Sequence, residues 1–140
     1  MISFFFEDIE NLNLPEKKII KWLDTIVEKY NFIQGDLSYI FASDQYILEI
    51  NKQYLNHDYF TDVITFDYTE SNIISGDIFI SVDRVKENAE SFGVNFIDEL
   101  LRVIVHGTLH LIGFKDKTDI EKQEMTKQED ESLKLFGDVE

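Results

Sequence analysis

The residues best able to do chemistry are His106 and His110, in His106-Gly-Thr-Leu-His110, with Asp116 six residues further on. A spacing of i and i+4 sets two imidazoles on one helix face, one turn apart, where both can reach one ion. A divalent ion held by two histidines and one carboxylate keeps a position open for water, as catalytic rather than structural metal sites do. Imidazole and carboxylate ligands suit zinc and other divalent first-row ions, so one zinc ion is the expected occupant. Two histidines on an apolar helix can also be satisfied core residues. Gly113 argues for the site, because a helix that stops there and reverses brings Asp116 back beside both rings.

The elements that must position these groups follow from periodicity. Residues 96–112 are apolar almost all round, as in a buried central helix, and Gly113 supplies its stop. Residues 2–6 form a short aromatic strand. Pro15 and Glu16 open a helix to about Tyr30 with Ile19, Ile20, Leu23, Ile26 and Val27 on one face. Strands are expected at 37–42, 63–68 and 76–82. Ser43 or Asp44 caps a helix carrying Ile47, Leu48, Ile50 and Tyr54, and residues 55–61 form a polar-aromatic loop. Asp83 begins a helix to about Phe92, ended by Gly93, and an amphipathic, charged helix covers about 118–135. This order predicts an α+β fold: a small mixed sheet of about four strands with helices packed on it and the metal site at the end of the buried helix.

The bulk properties fit one domain over residues 1–140 with a substantial core. Hydrophobic residues make up 44% and aromatics 14%, which separates the chain from disordered sequences. There is no cysteine, so disulfides and thiolate metal sites are excluded. The amino terminus lacks a basic region and a long apolar run, and the most apolar stretch, 100–114, is too short to span a bilayer and is broken by Arg102 and two histidines. A cytoplasmic location, with no membrane partner, is expected. The net charge is −15, and between Asp36 and Glu99 thirteen acids face only Lys52, Arg84 and Lys86. That surface argues against generic nucleic-acid binding, which carries a basic footprint.

The residue after the first histidine separates reaction classes. Metalloproteases of the His-Glu-x-x-His kind place a glutamate there as general base. Here it is Gly107, so a peptidase would need its base from elsewhere. A ribonuclease asks less of the protein: a metal ion activates a water, through His106 and His110, and neutralises charge developing on the phosphate.

Three motifs in order, Thr61-Asp-Val-Ile-Thr-Phe66, Gly76-Asp-Ile78 and His106-Gly-Thr-Leu-His110-Leu-Ile-Gly-Phe114, resemble the YbeY family of bacterial endoribonucleases and rRNA maturation factors. The resemblance spans residues 50–116. It implies an α+β fold with a zinc site at the end of the central helix. It also implies single-strand-specific cleavage of RNA in late small-subunit rRNA maturation and ribosome quality control. Ribosomal RNA, small-subunit ribosomal proteins and an assembly GTPase are the partners it implies. The family usually has a third histidine where this chain has Asp116, and an arginine where Leu55 follows Tyr54. That arginine is a natural phosphate clamp that leucine cannot replace. Lys115, Lys117, His57 and Arg102 are the candidates to supply positive charge to substrate instead, although the lysines and His57 also read as ordinary surface residues. Thr61 and Asp62 are expected to line the cleft and Phe66 to serve the core. Two other readings stand beside the nuclease: a metal-dependent, peptidase-like hydrolase, and a non-catalytic ribosome-assembly factor in which a structural metal pins the Gly113 turn.

Overall fold

A computed structural model of the chain describes residues 1–139. The elements run β1 (Ile2–Phe6), α1 (Glu16–Lys29), β2 (Ile33–Ala42), α2 (Asp44–Leu55), β3 (Val63–Asp67), β4 (Ile73–Ser81), α3 (Val82–Phe92), α4 (Phe96–Ile112) and α5 (Asp119–Asp138). Four strands form one mixed sheet in the order β1-β2-β4-β3. The first three are parallel, and β3 runs antiparallel to β4 with Thr65 opposite Ile78. The expected α+β layer with four strands is what is found.

Alternation along the strands decides what each face buries. Leu37, Tyr39 and Phe41 of β2, with Ile74, Ile78 and Ile80 of β4, point to one face and join α1, α3, α4 and Met125 of α5 in the main core. Ala42 and Ile64, on the opposite face, pack on Ile47 of α2, with Phe66 and Phe79 half-buried beside them. Helix α4 is the central element. It buries Leu100, Leu101, Val103, Ile104, Val105, Leu109 and Leu111, each contributing about 1.5–3 kcal/mol. Its backbone, and hence the path of His106 and His110, is therefore firmly fixed.

Gly107 permits that closeness. A Cβ there would stand 2.8 Å from Cγ2 of Ile78, so the helix lies almost directly on the sheet. A hydroxyl pair pins the same contact, with Tyr39 Oη 2.7 Å from Thr108 Oγ1, which donates in turn to the Ile104 carbonyl.

Several boundaries differ from the sequence reading for local reasons. Strand β2 begins at Ile33 rather than 37, because an irregularity between Gln34 and Leu37 absorbs Gly35 and Asp36 without ending the ladder. Val82 starts α3 instead of closing β4, and the Ser81 hydroxyl caps that helix by accepting from the Arg84 N–H. In α1 the buried face contains Trp22, while Ile20 is only half-buried. In α2, Asn51 takes a buried place and Tyr54 is exposed. Helix α5 runs on to Asp138, opened by a reciprocal cap between Thr118 and Glu121. Its most buried residues are Met125, Gln128, Glu129 and Ser132.

Candidate metal centre

His106 and His110 are half-buried positions on a helix whose other faces are buried almost continuously, so the two imidazoles emerge together at its carboxyl end. Gly113 then takes φ +124°, a conformation open to glycine, and the Phe114 N–H closes back on the Leu109 carbonyl at 3.0 Å. This reversal does two things. It places the Phe114 carbonyl 2.9 Å from His110 Nδ1, and it carries Asp116 across the open side of both rings.

His106 is oriented by α5. Its Nδ1 lies 2.6 Å from Oε2 of Glu129, a carboxylate only 7% exposed. The carbonyl and the carboxylate accept, so both rings carry their proton on Nδ1, and both Nε2 lone pairs point away toward one place. There the two Nε2 atoms are 3.0 Å apart, and Asp116 Oδ2 is 3.3 Å from each. Three acceptors converging without a donor repel one another, and a cation between them removes the repulsion. A tetrahedral ion with bonds of about 2.0–2.1 Å sets its ligands about 3.3–3.4 Å apart. The two sides to Asp116 match that spacing and the Nε2–Nε2 side is 0.3 Å shorter, so these three residues could hold a metal ion.

Beside His106 opens a cleft of about 290 Å³ lined by Asp62, Glu99, Arg102, Val103, His106, Asp116 and Glu129. Four carboxylates and one guanidinium give it an acidic character. Arg102 bridges Glu129 Oε1 at 2.8 Å and Asp130 Oδ1 at 2.7 Å, fixing the carboxylate that orients His106. Burial works against protonation of His106. The Glu129 hydrogen bond and charge outweigh it, with help from Asp116 and Asp62, and in the metal-free protein they raise His106 above the ordinary histidine value. Burial also raises the Asp62 and Glu99 carboxyls, the first tempered by His106 and the second by Arg102.

The geometry separates the residues singled out in the sequence. His106, His110 and Asp116 come together. Arg102 lines the cleft, with its terminal nitrogens already engaged by two carboxylates. Lys115 and Lys117 flank Asp116 as exposed residues, outside the cleft lining. His57 stacks on Tyr59 in the loop after α2, and it too is absent from the lining. Leu55 is the exposed last residue of α2. Asp62 lines the cleft, whereas the Thr61 hydroxyl turns to the Val63 carbonyl and Phe66 packs edge-on against Tyr54 and Phe79. The sequence reading passed over Glu99 and Glu129. The only available signal for Glu129 was the spacing 125, 128, 129, 132 on α5, which is polar where a buried stripe is normally apolar.

An α+β protein with a helix-borne His-His-Asp group, set by a glycine turn and a carboxylate from the last helix, is the class this fold and site define. The chain belongs to the endoribonuclease YbeY family, whose model matches residues 5–137. It is 48% identical to the endoribonuclease YbeY of Parabacteroides distasonis, across 96% of this chain and 95% of that one. It is 50% identical to that of Flavobacterium psychrophilum, across 97% and 96%. Among solved structures, the solution structure of TM1509 from Thermotoga maritima superposes with a TM-score of 0.70 at 30% identity, covering 97% of this chain and 89% of that one.

Proposed function

We propose that this protein is a zinc-dependent, single-strand-specific endoribonuclease acting on ribosomal RNA, in late small-subunit maturation and ribosome quality control. The observation that carries the reading is the convergence of His106 Nε2, His110 Nε2 and Asp116 Oδ2 on one point beside an open cleft. An ion held there supplies an activated water and neutralises charge developing on a phosphodiester. The chain's own residues do the rest. Glu129 holds the His106 ring and its proton at Nδ1, the Phe114 carbonyl does the same for His110, and Arg102 holds Glu129. Lys115 and Lys117, exposed on either side of Asp116, are the phosphate contacts of this reading, with Arg102 and His57 as further candidates.

A net charge of −15 gives weak attraction for free RNA. Targeting therefore falls to bound proteins, small-subunit ribosomal proteins and an assembly GTPase, in the cytoplasm. No helix of the described residues is long and apolar enough to cross a membrane. Peptidase chemistry is disfavoured by Gly107, which supplies no general base and where a Cβ would lie 2.8 Å from Ile78 Cγ2. A second reading, an assembly factor whose metal only pins the Gly113 turn, is favoured by Leu55 and by the acidity of the cleft.

The deciding experiment is incubation of purified protein with structured small-subunit rRNA, with and without chelator, beside His106→Ala. Cleavage abolished by both treatments supports the nuclease. An intact RNA with metal bound, and unprocessed rRNA accumulating in a deletion strain, transfers support to the assembly factor.

A further inference from the structure

The cleft beside His106 does not end at Arg102. Glu99, Arg102 and Glu129 also line a second depression of about 390 Å³, whose far wall is Phe92 and Val94. The two hollows meet at these three residues, and we treat them as one groove beside the amino-terminal half of α4, with His106 and Asp116 lining one end and Phe92 and Val94 the other.

Two features of this groove are unexplained by folding. Phe92 is 67% exposed, and Val94 beside it is 45% exposed, at a helix end where neither packs into the core. Glu99 is the converse. It is only 6% exposed, yet among the described residues its carboxylate makes no hydrogen bond and no ion pair, because Arg102 turns instead to Glu129 and Asp130. A place in the first turn of α4 suits an acid, through the helix dipole, and what exposure the carboxylate keeps is to the groove it lines. Glu99 therefore faces the groove as an acceptor without a donor.

Charge selects what can enter. Asp62, Asp98, Glu99 and Glu129 lie along it and Arg102 is engaged by Glu129 and Asp130, so away from the ion the groove disfavours phosphate and favours a neutral, flat group that carries N–H donors. Nucleobases have such faces and edges: they stack on aromatic rings, and a carboxylate accepts from the exocyclic amine of cytosine. We propose that this groove seats the nucleobase next to the cleaved bond, stacked on Phe92 and hydrogen-bonded through its amine by Glu99. The backbone of that nucleotide stays at the rim, and the groove selects cytosine over uracil, whose corresponding edge presents a second acceptor to the carboxylate. This inference rests on the nuclease reading and adds a subsite to it.

The test uses zinc-loaded protein and short single-stranded RNAs differing only at the nucleotide beside the cleaved bond. Cleavage and fluorescence-anisotropy binding are both followed. Phe92→Ala, at an exposed position that leaves the core intact, raises KM and Kd about five- to hundredfold with kcat much less affected. Glu99→Gln flattens the preference between cytosine and uracil, because an amide can either accept from one or donate to the other. A wild type that cleaves, with both variants unchanged in KM and preference, overturns the groove and leaves the nuclease standing. A wild type that neither binds nor cleaves any RNA of the series overturns both.

Discussion

His106 Nε2 and His110 Nε2 lie 3.0 Å apart, with the Nδ1 of each ring already engaged by Glu129 and by the Phe114 carbonyl. Neither nitrogen of either ring is left to bond the other ring favourably unless a proton or a cation lies between them. The pair is thus built around a positive charge, and Asp116 closes the third side.

Purified protein is accordingly expected to carry about one metal ion per chain, measured by elemental analysis. His110→Ala removes one of only three ligand groups and should lose it, as should Asp116→Ala under mild chelation. Asp116→His restores the residue usual in the family and should retain the ion. A metal-free wild type purified without chelator, or a His110→Ala protein with full occupancy, would sink the site.

Glu129 acts on the metal without touching it. Removing a carboxylate that orients a ligating histidine typically costs 10–100-fold in metal affinity. Glu129→Gln keeps shape and hydrogen-bonding capacity while weakening the acceptor, so its loss falls at about the lower end of that range, and Glu129→Ala at about the upper. Chelator competition measures both. Far-UV circular dichroism checks that the helix content is unchanged in both variants.

The same carboxylate sets a pH dependence in the metal-free protein. His106 is raised above 6.5, chiefly because Glu129 overcomes the opposing effect of burial. The folded state therefore holds the proton more tightly than the unfolded chain does. Its contribution to stability is fully present below about 6.5 and is lost as pH rises through the folded value. Thermal melts of chelator-treated wild type should show this decline, and Glu129→Gln should flatten it. NMR titration of the ring protons should place the midpoint of His106 above the ordinary histidine value in the wild type. Metal competes with that proton, so affinity for the ion rises over the same interval. A wild-type His106 titrating at or below the ordinary value would refute the role given to Glu129.

Much of this was legible in the chain, and for identifiable reasons. The His-x3-His spacing, the Gly113 stop and Asp116 lie within eleven residues, so local helix geometry alone brings them together. The four strands announce themselves by β-branched and aromatic runs. What stayed hidden depends on distant contacts. Glu129 is 23 residues from His106, and it sits on a helix whose buried stripe is Met, Gln, Glu and Ser, which periodicity reads as solvent-facing. Trp22 escapes the sequence reading of α1 because the aliphatics Ile19, Ile20, Leu23, Ile26 and Val27 already define a face without it. Arg102 looked like a free cation, since nothing local to it announces its two partners on α5.

Gly107 is the residue whose meaning changed most, from a missing general base to a packing requirement, and it supports a stability prediction with its own control. Gly107→Ala gains about 1 kcal/mol of helix propensity. It also pushes a methyl to 2.8 Å from Ile78 Cγ2 and 3.3 Å from Thr65 Cγ2, both in the sheet beneath α4. Overpacking a well-filled contact costs about 1–3 kcal/mol, so the net effect is a loss of up to about 2 kcal/mol. The displaced helix also moves His106 and His110 relative to Glu129, so metal affinity falls with stability. Gly137, in α5, is the control: a methyl there meets nothing within 4 Å, and Gly137→Ala should raise stability by up to about 1 kcal/mol and leave the metal untouched. Urea unfolding of the two variants, with and without zinc, measures both. If Gly107→Ala matches Gly137→Ala in stability and metal retention, α4 does not depend on that close approach, and the steric argument against a glutamate base at this position falls with it.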